Sequence, residues 1–338
     1  MELTELLHAD DSLGDMNAPD YISFDGSGTS EPTLDGNDWE AEIFAEDFTR
    51  CGVTLGHYLY FAGSEWGGRV EKIEHISSTG IIKLSGATWR GMLARKVIEP
   101  PEGQSHKVFQ NTTVGAVMAA LVAPFGGLFV VGNGENSENS AAVTEQKYRY
   151  QTVLEGLTEL LETRGMRLKL TLDQTEKKVI LSPETVHDRS DAIEFSGDYD
   201  MKYTATKAEA QYNHVIALGQ GEQENRTVRH VWLLPDGSTT VDGSNPAIAT
   251  GFDERAMVYD YSGCEDAAEL VKGARKKLKE NGAQNAIRID FDPPDADLPL
   301  GDRVSLRDRV TGMNDARTIT RKILRVTAQG VTLQYDVN

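Results

Sequence analysis

The sequence predicts a multidomain α+β protein in which β-rich regions at both ends of the chain flank helix-containing regions. Three observations lead to this prediction. The chain has 338 residues, enough for two to four units of about 100 to 150 residues each. A two-part strand signature occurs near both ends in the same order, and stretches of helical periodicity lie between the two copies.

The strand signature begins with an apolar-x-Leu-Gly-x-x-apolar-x-apolar pattern. Its N-terminal copy consists of Val53, Leu55, Gly56, Leu59 and Phe61, and its C-terminal copy of Leu298, Leu300, Gly301, Val304 and Leu306. A strand, glycine turn and strand follow in each copy: Ile73, Ile76, Gly80, Ile81 and Leu84 correspond to Ile323, Val326, Gly330, Val331 and Leu333. A hairpin with one apolar face needs another sheet or barrel closure to cover it, so we predict two related β units that superpose. Chance similarity of β-rich strings is the alternative.

The N-terminal region reads as an antiparallel β unit. Short strand-like runs separated by turn residues occupy residues 21–24, 40–44, 58–61, 69–76 and 81–85. The sequence Trp66-Gly67-Gly68 indicates a turn tip with an exposed aromatic ring, either a contact point for a partner or a capped loop.

The region from residue 112 to 182 reads as an α+β unit. Apolar residues at helical spacing predict a helix from Val114 to Val122, with Thr112 or Thr113 as its cap and a stop at Pro124. A second helix starts with a capping box of Thr152 and Glu155 and stops at Gly165. Alternating residues 166–172 and the run 178–181 predict a hairpin directly after it.

Strands resume after residue 193, with runs at 201–205, 215–219 and 228–234. A capping box of Ser262 and Glu265 predicts the start of a third long helix, which stops at Asn281-Gly282. The remaining sequence alternates as β-strands up to the second copy of the signature.

Composition excludes several classes of protein. The formal net charge of -19 argues against nucleic-acid binding, because phosphate contacts depend on Lys and Arg. No apolar run approaches the roughly 20 residues of a membrane helix, and no signal peptide is expected before Asp15. Cys51 and Cys264 lack metal-ligand spacing, so we expect reduced, structural thiols without a disulfide between them.

No motif in the sequence predicts catalysis, a cofactor or a metal. Gly132-Asn133-Gly134 follows an apolar run but precedes an Asn/Ser-rich loop instead of the helix that a dinucleotide site requires. An acidic cluster around Pro293-Pro294 lacks the ligand order of a calcium loop; it consists of Asp290, Asp292, Asp295 and Asp297. The histidines are scattered without metal-ligand partners; we considered His57, His75, His187, His214 and His230. We therefore predict no catalytic, cofactor-binding or metal-binding residues.

The segment from residue 81 to 98 resembles the tail hub proteins of long-tailed phages. It reads Ile81-Ile82-Lys83-Leu84-Ser85-Gly86-Ala87-Thr88-Trp89-Arg90-Gly91-Met92-Leu93-Ala94-Arg95-Lys96-Val97-Ile98 and is followed by Pro100-Pro101. Leu300-Gly301-Asp302-Arg303-Val304 and the terminal run 331–337 are similar to the last barrel of that family. The resemblance covers nearly the whole chain in the order of its elements.

This resemblance implies an α+β fold with two related antiparallel β-barrel domains that alternate with two smaller α/β units. We expect a first barrel at 1–95, an α+β domain at 96–190 and a second barrel formed by 191–235 and 286–338. An inserted helix-containing subdomain is expected at 236–285. Because the sequence stops at Asn338, directly after the last barrel strand, we expect any wall-degrading activity to belong to another chain.

The resemblance also implies the function of a structural hub in a phage tail tip, or baseplate. The expected assembly is a homotrimeric ring that adapts the tail tube to the adsorption apparatus and lines the DNA exit channel. Expected partners are distal tail and tail tube proteins, the tape measure protein, and tail fibre or receptor-binding proteins. We expect neither sequence-specific nucleic-acid binding nor membrane insertion, and we place the protein in the virion after assembly in the host cytoplasm.

Two details of this assembly follow from physical arguments. Unpaired barrel edges are expected to form the contacts between copies. The excess negative charge is expected on the channel wall, with a uniformly acidic exterior as the alternative. Two other functions stay open: a tail-associated cell-wall hydrolase, and a carbohydrate-binding attachment module with an aromatic platform near Trp66 or Trp232.

Overall fold

The computed structural model describes residues 5–132, 138–192, 194–196, 202–282, 285–291 and 298–337. The chain divides into two compact units. The larger unit consists of Met1–Thr204 and Ile287–Asn338, and the smaller unit of Ala205–Ala286.

The N-terminal part of the larger unit is mostly β-sheet. Its elements are β1 (Leu7–Ala9), β2 (Asp15–Met16), β3 (Tyr21–Thr29), β4 (Asp38–Phe44), α1 (Ala45–Cys51), β5 (Tyr58–Tyr60), β6 (Gly67–Arg69), β7 (Lys72–Ile76), β8 (Ile81–Ala87) and α2 (Trp89–Leu93). A four-stranded sheet has the order β2-β1-β5-β6, and β3-β4-β8-β7 belong to a larger sheet. Along β4, Trp39, Ala41 and Ile43 are buried and alternate with outward-facing polar residues, which places one face of this sheet on the core.

The middle part of the larger unit is the predicted α+β region. Its elements are β9 (Lys107–Thr113), α3 (Val114–Val122), β10 (Phe129–Val131), β11 (Ala142–Tyr148), α4 (Val153–Glu162), β12 (Met166–Asp173) and β13 (Lys178–Thr185). Sheets of order β10-β13-β12 and β11-β9 pack with both helices around one apolar core.

The predicted helix signals of this region are confirmed. Thr113 caps α3 by accepting a hydrogen bond from the backbone N–H of Ala116. Thr152 and Glu155 form a reciprocal capping box at the start of α4. Beyond the end of α4, Gly165 adopts a φ of 66°, a left-handed conformation that favours glycine.

Two strands, β14 (Glu194–Ser196) and β15 (Lys202–Lys207), lead towards the smaller unit. That unit contains β16 (His214–Leu218), β17 (Val228–Leu233), β18 (Thr239–Thr240), β19 (Ala256–Asp260) and α5 (Ala267–Glu280). Its sheet has the order β18-β17-β16-β19, and Leu270, Ala274 and Leu278 of α5 pack on one face of the sheet.

Two sequence expectations change in this smaller unit. The N-cap of α5 is Asp266, whose side chain accepts from the N–H of Ala268 at 2.8 Å, so the predicted start at Ser262 and Glu265 was wrong. The predicted domain boundary between residues 235 and 236 falls inside one sheet, because β17 and β18 on either side of it form a hairpin. The four-domain division as a whole stays a prediction.

The chain returns to the larger unit through its last strands, β20 (Asn285–Phe291), β21 (Arg303–Asp308), β22 (Met313–Thr327) and β23 (Gly330–Val337). The main path of the ten-stranded sheet is β15-β20-β23-β22-β3-β4-β8-β7, with β14 and β21 off this path. Strand β22 pairs with β3, so the N- and C-terminal β regions are halves of one sheet.

The two halves of this path have the same strand order. Numbered along the chain, the strands of each half lie in the order first, second, fourth, third, as β3-β4-β8-β7 and as β15-β20-β23-β22. The hairpins also correspond in register: Ile76 lies opposite Ile81 in one half, and Val326 lies opposite Val331 in the other. Among the described residues no strand pairing closes either half into a barrel, so the two barrels and their common origin stay predictions.

Candidate functional site

The outer face of the large sheet carries a polar surface that is rich in carboxylates. A groove of about 530 Å³ crosses this face above β3, β4 and β8. Its carboxylates are Asp25, Asp35, Asp38, Glu40 and Glu71, whereas its guanidinium groups are Arg95 and Arg321. The pleat of β4 produces this arrangement, because Asp38 and Glu40 point away from the core that holds Trp39.

Basic side chains from neighbouring strands partly neutralise this acidic surface. Arg325 Nε lies 2.6 Å from Asp25 Oδ1, across the β22–β3 pair. Lys83 Nζ lies 2.9 Å from a carboxylate oxygen of Glu42 and 3.0 Å from one of Glu40. These hydrogen bonds raise the pKa of Lys83 above its ordinary value, so the amine stays charged. The lining of the groove nevertheless contains more carboxylates than cations.

A buried ion pair lies on the core side of the same sheet. Lys322 is 2% exposed, and its Nζ lies 2.7 Å from Glu65 Oε1 and 5.3 Å from the centre of the Trp66 ring. Burial alone would raise the pKa of Glu65, but the charges of Lys322 and Arg90 outweigh it and hold this pKa below its usual value. The pair joins β22 to the chain between β5 and β6.

This contact corrects the prediction for Trp66-Gly67-Gly68. Trp66 is buried, and the two glycines belong to β6 instead of a turn tip. Trp66 therefore provides no exposed platform for a sugar ring.

The segment that carries the family resemblance is the connection between the first β region and the α+β region. Strand β8 leads into α2, whose cap Thr88 accepts from the N–H of Gly91. Arg90 is buried and donates from Nη2 to the carbonyl oxygen of Leu168 at 2.7 Å. Ile98 forms backbone hydrogen bonds with Gln151 and Tyr150, at 2.8 and 3.0 Å. The residues that carry the family resemblance therefore connect the first β region to the α+β region.

The second matching segment, Leu300 to Val304, forms a similar junction. Asp302 is fully buried and forms ion pairs with Arg167 and with Arg189, the latter at 2.7 Å. It also accepts from the backbone N–H of His187 at 2.9 Å. Because an unpaired buried carboxylate is costly, this network fixes the last strands against the end of the α+β region.

Four histidines, which the sequence analysis treated as isolated or did not consider, form two hydrogen-bonded pairs. His8 Nε2 lies 2.8 Å from His57 Nδ1, and His214 Nε2 lies 2.8 Å from His230 Nδ1. Sequence spacing could not reveal the pairs, because strand pairing brings their members together. Trp232 stacks on both His214 and His230, and its exposure is intermediate.

The remaining predictions concern the two cysteines, the possible metal and cofactor sites, and membrane helices. Cys51 and Cys264 are free and buried. The described residues contain no group of three or more His, Cys, Asp and Glu side chains that could hold a metal. Asn133, Gly134 and the acidic segment 292–297 lie outside the described residues, as does the side chain of Asp290. Across the described helices, none is both long and apolar enough to span a membrane.

Sequence and fold comparisons agree with this architecture. The profile of the siphovirus ReqiPepy6 Gp37-like protein family matches residues 56–337. The chain belongs to this family. No curated protein matches the sequence.

The fold of this Gp37-like protein is similar to those of solved prophage and bacterial tail proteins. The 43 kDa tail protein of prophage MuSo2 from Shewanella oneidensis aligns with a TM-score of 0.61 and 13% identity, over 99% of this chain and 98% of that chain. A tail protein from Neisseria meningitidis MC58 aligns with a TM-score of 0.55 and 16% identity, over 98% and 95%. Prophage tail protein gp18 from Listeria monocytogenes EGD-e aligns with a TM-score of 0.52 and 11% identity, over 99% and 95%. The resemblance to phage tail proteins is thereby confirmed.

Proposed function

We propose that this Gp37-like protein is a structural hub of a phage tail tip, where three copies form a ring between the tail tube and the host-adsorption apparatus. The family match and the fold shared with tail proteins over nearly the whole chain support this function. As a hub it would contact tail tube and distal tail proteins, the tape measure protein and fibre or receptor-binding proteins of the virion.

The repeated strand order is the observation that carries the proposal. Each chain supplies two halves with the same order and matching hairpin registers. Three copies would therefore present six similar β units, which is the number that a hexameric tail tube can match. This correspondence is what an adaptor between a threefold and a sixfold structure needs.

The sheet edges suggest how the ring closes. Strands β7 and β15 end the main path, and neither has a strand partner on its outer side among the described residues. Pairing of β7 in one copy with β15 in the next would satisfy both edges in a closed head-to-tail arrangement. Three eight-stranded paths give 24 strands, and at about 4.8 Å per strand the barrel would be about 37 Å across or wider with tilt. A DNA duplex fits within such a barrel.

The acidic groove supplies a surface for the channel wall. If the outer face of the sheet lines the barrel, Asp25, Asp38 and Glu40 face the lumen. Carboxylates repel phosphates, so DNA would pass without being held. We propose no catalytic role for any residue of the chain.

Oligomeric mass and activity test this function together. We expect a trimer by native mass spectrometry and a ring with a central opening by electron microscopy, either for the purified chain or for the tail tip isolated from particles. We expect no release of fragments from purified cell wall. A monomer within the native tail tip would contradict the ring, and cell-wall turnover would favour the hydrolase instead.

A further inference from the structure

The basic face of α5 stands out in a chain with 34 basic and 53 acidic residues. Five cations occur among the 14 residues of this helix, namely Lys272, Arg275, Lys276, Lys277 and Lys279, against two carboxylates, Glu269 and Glu280. The apolar stripe of the helix packs on its own sheet, whereas Lys272, Arg275, Lys276 and Lys279 are exposed on the opposite side. Basic residues in the last turn complement the helix dipole, but Lys272 and Arg275 lie before that turn.

The sheet of the same unit has one face that α5 does not cover. Val215, Ala217 and Val231 point towards α5, so the alternating residues point to the other face. There Val258 lies beside Ile216, which lies beside His230. Val258 is 60% exposed and Val228 is 38% exposed. This open sheet face is the side of the unit that α5 leaves uncovered; it is exposed around Val258 and Val228, whereas His214 on the same face is buried.

Three carboxylates and one guanidinium group lie at the edge of the open sheet face. Glu254 Oε1 lies 2.7 Å from Nδ1 of His214, a residue of that face. Asp253 next to it is exposed, and Asp260 on β19 is exposed and pairs with Arg226 at 2.5 Å. The 3-10 turn Gly251–Asp253, which contains Asp253, presents Phe252 with 99% of its surface exposed. The open sheet face is thus apolar at its centre, and its rim carries three carboxylates against one cation, Arg226.

Symmetry restricts how copies of such a unit associate. A twofold interface centred on α5 would place cation against cation, whereas a head-to-tail interface joins two different surfaces. Copies that each carry a charge of -19 repel one another unless surfaces of opposite charge meet. The basic helix and the acidic, apolar sheet face meet this condition.

We infer that, in the ring proposed above, the basic face of α5 in one copy docks on the open sheet face of the next copy. The inference rests on the proposed function and adds a second contact between copies to the pairing of β7 with β15. Lys272, Arg275 and Lys279 face the carboxylate rim, while the stems of these side chains cover Val258 and Val228.

Charge reversal on α5 tests this contact in the full-length chain. We expect K272E/R275E/K279E to raise the dissociation constant of the trimer by about tenfold or more at low salt. The control K147E/R149E/K177E makes the same total change in charge at three exposed cations of the larger unit. It should leave the dissociation constant of the trimer unchanged. The variant V258K/D253K, which alters the other surface, should weaken the trimer as the α5 variant does. All of these side chains are exposed, and circular dichroism verifies folding.

A cross-link tests the geometry directly. Arg275 and Val258 lie on opposite sides of their own sheet, so cysteines at both positions can join only between copies. Oxidation of R275C/V258C should give linked dimers and trimers, while either single variant should give at most linked dimers.

The outcomes separate the inference from the proposed function. A trimer with unchanged affinity after α5 reversal, and no cross-link, would overturn the docking contact and leave the ring intact. A chain that stays monomeric in tail tips would overturn both. Binding of a DNA duplex that α5 reversal abolishes, without loss of the trimer, would assign the helix to nucleic acid instead.

Discussion

The paired histidines are the residues through which we expect pH to affect the stability of the fold. In the larger unit, His8 Nδ1 donates to the carbonyl oxygen of Asn17 at 3.2 Å, so His8 Nε2 is the acceptor for His57 Nδ1. In the smaller unit, His214 Nδ1 donates to Glu254, and its Nε2 accepts from His230. These protons are assigned from the partners.

We predict that the free energy of unfolding decreases as the pH falls from about 7.5 to 5.5. Burial lowers the pKa of His8, with the neighbouring His57 adding to the effect. Burial and His214 likewise lower the pKa of His230. The unfolded chain binds a proton near the ordinary histidine value of about 6.5, before the folded chain does, so stability is lost below that pH. Urea denaturation at a series of pH values measures this slope.

Substitutions identify which histidines cause this pH dependence of the free energy of unfolding. His8→Gln and His230→Gln together should flatten the pH dependence between 7.5 and 5.5, whereas His75→Gln, at an exposed position, should leave it unchanged. If the slope is the same in all three proteins, other groups cause it.

At the scale of single elements, the sequence predicted what local signals determine. Helices α3 and α4 carry their caps, periodicity and stops within a short stretch, and both form as expected. The sequence analysis did not predict strand β6, because its glycines are required by a contact with another strand. A Cβ atom on Gly68 would lie 2.0 Å from the carbonyl oxygen of Ala87 in β8. Only the folded chain reveals that close approach, so the same dipeptide was interpreted as a turn.

We predict that Gly68→Ala destabilises the protein by about 3 kcal/mol, because backbone must move to admit the methyl group. Gly80 in the turn between β7 and β8 provides a matched control. It has a φ of 69° with nothing within 4 Å of an added Cβ, so Gly80→Ala should cost only about 1 kcal/mol of backbone strain. Urea denaturation measures both values. Equal effects would mean that β6 and β8 do not approach as closely as described.

At the scale of the whole molecule, charge and topology act together. The net charge of -19 led us to expect an acidic channel wall but did not identify the residues that form an acidic surface. The strand order places a row of carboxylates from β3 and β4 near the middle of an eight-stranded path, flanked by Lys83 on β8 and Arg325 on β22. Sequence alone could not locate this surface, because β22 and β3 are almost 300 residues apart along the chain. The groove is where DNA repulsion can be tested.

We predict that D38K/E40K makes the ring bind duplex DNA and slows DNA ejection from particles that contain it. Each new lysine that contacts a phosphate should steepen the slope of log K against log salt by about one unit. The control E99K/E102K makes the same charge change at exposed positions outside the groove. Fluorescence anisotropy of a labelled duplex at several salt concentrations gives the slope, and the time course of dye-stained DNA leaving the particles gives the ejection rate. Equal DNA binding and equal ejection by the two variants would show that the outer face of the sheet does not line the channel. The trimeric hub would not be affected by that result, because the measured oligomeric mass tests it separately.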